Sequence, residues 1–80
     1  MKQTKEAIQF AIDTLTAEAA QMYASDSQIT GTEALRFFIK TNTFKLLRNP
    51  ESYLYLESAE YVLDMLHAEL SGDIERWLEV

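Results

Sequence analysis

The sequence contains no cysteine, one proline and two glycines, and nowhere does it run apolar for more than a few residues. Without cysteine there is no disulfide framework, no thiol nucleophile and no Cys-ligated zinc or iron–sulfur site. The longest wholly apolar stretches, such as Phe37-Phe38-Ile39, fall far short of the roughly 18 residues of a membrane span. The first residues, Lys2 and Lys5 included, lead into a segment interrupted by Gln9 and Asp13, which excludes the continuous apolar stretch of a secretory signal. These absences point to a cytoplasmic protein with no membrane contact. Glycine-rich phosphate loops and a Gly-x-Ser-x-Gly elbow are also missing.

What remains suits a globular chain. Of 80 residues, 48% are hydrophobic and 25% charged, a balance too apolar for disorder and a length suited to one domain spanning 1–80. A domain this small, with no covalent or metal staple, depends on its core or on a partner.

Scarce glycine and proline make the turn signals prominent. Ile8, Ile12, Leu15, Ala19 and Met22 step by four and three, the face of a helix over about residues 4–23. Ser25-Asp26-Ser27 then reads as a loop, because these side chains compete for backbone hydrogen bonds. Thr30 with Glu33 three residues on is a capping box, opening a helix over about residues 31–40 whose face carries Leu35, Phe38 and Ile39. Thr41-Asn42-Thr43 is either a break before a short helix over about residues 44–48 or a kink in a continuous one. Asn49-Pro50 ends that segment and suits the cap and first position of the next.

Tyr53, Leu54, Tyr55 and Leu56 are a short helix or an extended piece. Ala59, Val62, Leu66 and Leu70 restore the helical period over about residues 58–71, and Gly72 fits the positive φ required just past a helix end. Asp73 caps a last short helix with Ile74, Trp77 and Leu78. A lone β-like stretch at 54–56 has nothing to pair with. The expected fold is a small all-α bundle of four to five short helices with antiparallel neighbours.

The charge of −6 is divided unevenly: −2 over residues 1–30, +3 over 31–50 and −7 over 51–80. Arg36, Lys40, Lys45 and Arg48 are paired at helical spacing and define a candidate nucleic-acid stripe. Against that stands a sequence pI of about 4.5, where a DNA-binding domain is usually basic. The favoured reading has these bases facing the acids of the 58–71 helix within the fold. Glu57, Glu60, Asp64 and Glu69 are either the solvated side of that helix or a surface complementary to a basic partner. His67 shares a helix side with Glu60 and Asp64, which suggests a metal or acid–base pair, or simply a boundary histidine bonded to Asp64. The simpler reading is preferred, so no catalytic residue, metal or cofactor is expected. Most aromatics are needed for the core, but Tyr53, Tyr55 and Trp77 lie in short or terminal elements and are the candidates for an exposed interface.

Ile29-Thr30-Gly31 with Glu33-Ala34, then Leu66-His67, then Asp73-Ile74 together resemble a family of small bacterial helical proteins of unknown function. That family shows an Ile-(Ser/Thr)-Gly-x-Glu-Ala start, a Leu-His-Thr step and a late Asp-Ile, and the resemblance spans about residues 10–78. Here Ala68 stands in place of the threonine, and the stretch from His67 to Asp73 is shorter. Such proteins are encoded beside ADP-ribosyltransferase-like toxins. The resemblance therefore implies an antitoxin-like partner role and no chemistry in this chain. Taken together, the expectation is a non-enzymatic protein–protein interaction module. Its partner is a co-encoded toxin, another protein or a second copy, bound through Tyr53, Tyr55, Glu57, Glu60, Asp64 and Trp77. The alternative is a helix-turn-helix-like nucleic-acid-binding regulator using residues 36–48.

Overall fold

The computed structural model describes residues 4–72. They form four helices: α1 (Lys5–Ser27), α2 (Gly31–Phe38), α3 (Asn42–Leu47) and α4 (Ala59–Leu70). Two single-turn 3-10 helices, Pro50–Ser52 and Leu54–Leu56, join α3 to α4. No described residue is in a strand, so the expected all-α bundle is what forms. None of the described helices is long and apolar enough to cross a membrane. The expected helix from Asp73, with Ile74, Trp77 and Leu78, lies outside the described residues.

α1 is the central element and packs against α2, α3, α4 and the Leu54–Leu56 turn. Its buried positions divide into two stripes. Ile12, Leu15 and Ala19 enter the main core with Phe38, Leu47, Leu54, Ala59, Val62, Leu63, Met65 and Leu66. Ala20 and Ala24 meet Ala34 of α2 in a smaller cluster, where three small side chains let two helix backbones approach closely. Phe38, Leu47, Val62 and Leu66 are fully buried.

Caps set the element boundaries. Thr4 accepts from the Ala7 N–H at the start of α1, 3.0 Å away. The capping box forms as expected: the Glu33 N–H donates to Thr30 Oγ1 at 3.1 Å, and the Thr30 N–H donates to Glu33 Oε1 at 3.4 Å. Ser58 accepts from the Tyr61 N–H at the start of α4. Asn49 Oδ1 accepts from the Glu51 N–H, so Asn49-Pro50 opens a 3-10 turn. Gly72 has φ +88°, the left-handed value expected past the end of α4.

Three expectations need correction. α1 runs through Ser25-Asp26-Ser27 and stops at Gln28, which takes the left-handed conformation at φ 58°. The Gln28 and Ile29 N–H groups both donate to the Ala24 carbonyl, and Ile29 packs on the alanine cluster. That closure, with its apolar contact just beyond the helix, outweighs the local preferences of the serines. On α2 the buried row is Ala34 and Phe38, while Leu35 and Ile39 are exposed. The alanine contact fixes the rotation of α2, and Leu35 and Ile39, one residue further round, turn outward. Leu70 is exposed for the same reason, because the preceding Glu69 is the residue that turns toward α3.

The Thr41-Asn42-Thr43 segment is a break, and α3 starts within it. Thr41 Oγ1 accepts from the Phe44 N–H at 3.2 Å and donates to the Phe38 carbonyl at 2.6 Å. The other two free amides of α3 are satisfied from a distance. Glu69 Oε2 accepts from the Asn42 N–H at 2.9 Å, and Glu69 Oε1 accepts from the Thr43 N–H at 2.8 Å and the Thr43 hydroxyl at 2.7 Å. Burial works to raise the Glu69 pKa. The Asn42 N–H, the Thr43 hydroxyl, the Thr43 N–H and the charge of Lys45 together outweigh it, and the net shift is downward from 4.5.

Candidate functional site: an apolar and acidic face

The two 3-10 turns meet at Tyr53, whose backbone is left-handed at φ 58° and ψ 14°. A non-glycine residue there costs about 1–2 kcal/mol. Its N–H donates to the Pro50 carbonyl, closing the first turn, and its carbonyl accepts from the Leu56 N–H in the second. Ser52 anchors this link to α3, with its hydroxyl donating to the Leu46 carbonyl and accepting from the Leu54 N–H. Leu54 then points into the core, while Tyr53 before it and Leu56 after it are left at the surface.

Tyr53 is 63% exposed and Leu56 60% exposed. Tyr55 departs from the expectation of an exposed interface residue: it is half-buried and packs against the core. The rings of Tyr53 and Tyr55 are tilted against each other with centroids 6.4 Å apart, so one tyrosine is supported by the other. Leu56 was not among the expected site residues. Its exposure follows from the 3-10 geometry, in which positions three apart eclipse and Leu56 cannot share the inward direction of Leu54.

Glu57, Glu60 and Asp64 are all exposed. Glu60 and Asp64 stand one turn apart on α4, while Glu57 closes the second 3-10 turn through its N–H to the Leu54 carbonyl. Glu60 also lines a shallow groove of about 350 Å³ between α1 and α4, with Ala17, Glu18, Gln21, Met22 and Ala59. Trp77 lies outside the described residues.

The other candidates are placed differently. Arg36, Lys40, Lys45 and Arg48 are all exposed. Lys45 acts on the α4 acid Glu69, and no ion pair with a described residue ties down the other three. The expectation that these bases face α4 therefore holds only for Lys45. Glu69 occupies the free amides of α3, so a carboxylate sits where a helix-turn-helix reader would receive a phosphate. His67 is exposed and lies against the Tyr23 ring, centroids 6.5 Å apart, and Tyr23 in turn stacks on Phe37 at 5.3 Å. Among the described residues no three His, Cys, Asp or Glu side chains converge as metal ligands.

The chain matches no protein-family model, no curated protein and no solved structure.

Proposed function

We propose that this chain is a non-enzymatic protein–protein interaction module whose binding face centres on Tyr53 and Leu56, supported by Tyr55 and bordered by Glu57, Glu60 and Asp64. One observation carries the reading: Tyr53 holds a backbone conformation that favours glycine or asparagine, and its large side chain is spent on solvent. A residue that adds strain and buries little contributes nothing to the isolated fold that glycine would not supply better. Such outliers gather at binding sites. An exposed aromatic with an exposed leucine three residues on is the apolar centre that protein interfaces use, and the exposed carboxylates that follow it in the chain are the polar rim of this reading. The sequence resemblance makes a toxin-like enzyme the natural partner, with this chain in the neutralising role, in the cytoplasm of a bacterium.

The test is affinity capture from the source cell with three baits: the native chain, Tyr53→Gly and Leu56→Ala. The native bait should retain one stoichiometric, salt-resistant protein, and each variant should lose most of it while keeping native helicity. Retention by both variants overturns the assignment of this face.

The second reading, a nucleic-acid-binding regulator using Arg36, Lys40, Lys45 and Arg48, is favoured by their common exposure. The carboxylate at the start of α3 and the charge of −6 weigh against it. Salt-sensitive DNA binding lost in the fourfold alanine variant would support it, and DNA binding retained there would remove it.

A further inference from the structure

We infer that the groove between α1 and α4 is a receptor for an arginine side chain of a partner protein. This deepens the interaction reading and rests on it. Ala17, Met22 and Ala59 give the groove an apolar floor, and Glu18 and Glu60 bring one carboxylate from each of its two helices. Among the described residues no basic side chain lines it, so none of them supplies a cation to either carboxylate at this place.

Each simpler occupant leaves part of the lining unused. A wholly apolar group would strip water from two carboxylates without replacing it. A metal ion would find two acids and no third acid, histidine or cysteine, since among the described residues no such group of three exists. A long cationic side chain satisfies both halves: its methylene stem lies along alanine and methionine while its head meets carboxylate. Arginine suits this better than lysine. Its guanidinium is flat and weakly hydrated, and its forked donors can bridge two acceptors.

The surroundings favour the same occupant. Glu57 and Asp64 are exposed and close to Glu60 along the chain, so they add to the negative field that draws a cation toward it. Leu56 is four residues from Glu60, no more than about 14 Å along the chain. A partner helix can therefore seat an arginine in the groove and an apolar side chain, one or two turns away, on Tyr53 and Leu56.

The experiment titrates the full chain with a capped alanine-based heptapeptide carrying a central arginine and a leucine at each end. Its citrulline analogue keeps the shape and removes the charge. Amide NMR resonances are followed. Saturable shifts should concentrate at Ala17, Glu18, Gln21, Met22, Ala59 and Glu60. Citrulline should bind more weakly, and Glu18→Gln and Glu60→Gln should each weaken arginine binding about two- to fivefold. Both positions are exposed, so both variants keep the fold. The inference is overturned by equal binding of the citrulline peptide, by shifts spread equally over Asp13, Asp26 and Asp64, or by no saturable shift. Because the peptide reads the groove directly, this result is separate from partner capture. Capture that survives Tyr53→Gly and Leu56→Ala removes the interaction face, whereas capture that fails there but ignores Glu18→Gln and Glu60→Gln removes only the arginine receptor.

Discussion

Tyr53 sets two demands against each other at a single residue. Its left-handed backbone is what turns one 3-10 helix into the next, and glycine would meet that requirement without the Cβ penalty. Tyr53→Gly is therefore expected to raise stability by about 0.5–1 kcal/mol despite losing the Tyr55 ring contact, read as a higher urea midpoint with unchanged slope. A lower midpoint would show that the tyrosine pair holds the fold and would remove the argument for function from strain. Ala34 offers the contrasting case. It is fully buried between Ala20 and Ala24, and Ala34→Leu should cost about 1–3 kcal/mol by forcing α1 and α2 apart. A thermal melt checks this directly.

At the scale of elements, α3 depends on something outside itself. Six residues make a marginal helix in water, and two of its free amides are held by a carboxylate from α4. Glu69→Ala should cost about 1–2 kcal/mol, as the loss of a helix cap does. Glu69→Gln should cost less, because one amide oxygen still accepts. The loss should be local, so amide exchange at 42–47 should accelerate while that in α1 holds. The pH dependence follows from the depressed pKa: the unfolded chain binds the proton more tightly, so the contribution is complete above 4.5 and is lost as pH falls through the lower folded value. Glu69→Gln should flatten the acid limb of the stability curve by that amount, and an unaltered limb would exclude Glu69 as its source.

This long-range cap also shows where local sequence stops being informative. The Thr30–Glu33 box, Gly72 and the Ala59, Val62 and Leu66 period of α4 are local, and each was legible. The start of α3 was ambiguous because its decisive residue is 27 positions away. The rotation of α2 was misread for a similar reason, since the Ala34 contact with Ala20 and Ala24 outbids the larger apolar surface of Leu35 and Ile39. Of the candidate site, the acids and Tyr53 could be named from their place in short or polar elements. Tyr55 and Leu56 exchanged roles because a 3-10 turn, unlike a strand, does not alternate its faces.

For the whole molecule, the core is small and correspondingly sensitive. Phe38 is fully buried, meets Phe44 edge-on at 5.6 Å and joins α2 to the main cluster. Phe38→Ala should cost about 3–5 kcal/mol, a large share of the 5–15 kcal/mol typical of a folded domain. Circular dichroism melts should show a partly unfolded chain near body temperature. The charge distribution acts at this scale too. In the proposed interaction, association should slow as salt is added while dissociation changes little, because steering works on the encounter. Stopped-flow mixing at two ionic strengths separates the two rates.

The carboxylate that begins α3 also orders events during synthesis. α1 and α2 carry their caps close at hand, at Thr4 and at Thr30 with Glu33, so those caps need no residue from later in the chain. α3 is translated next but remains without its N-terminal brace until residue 69 has emerged. A nascent chain stalled before residue 69 therefore has α3 without this brace, and one stalled before α4 presents Phe38 without its finished cover.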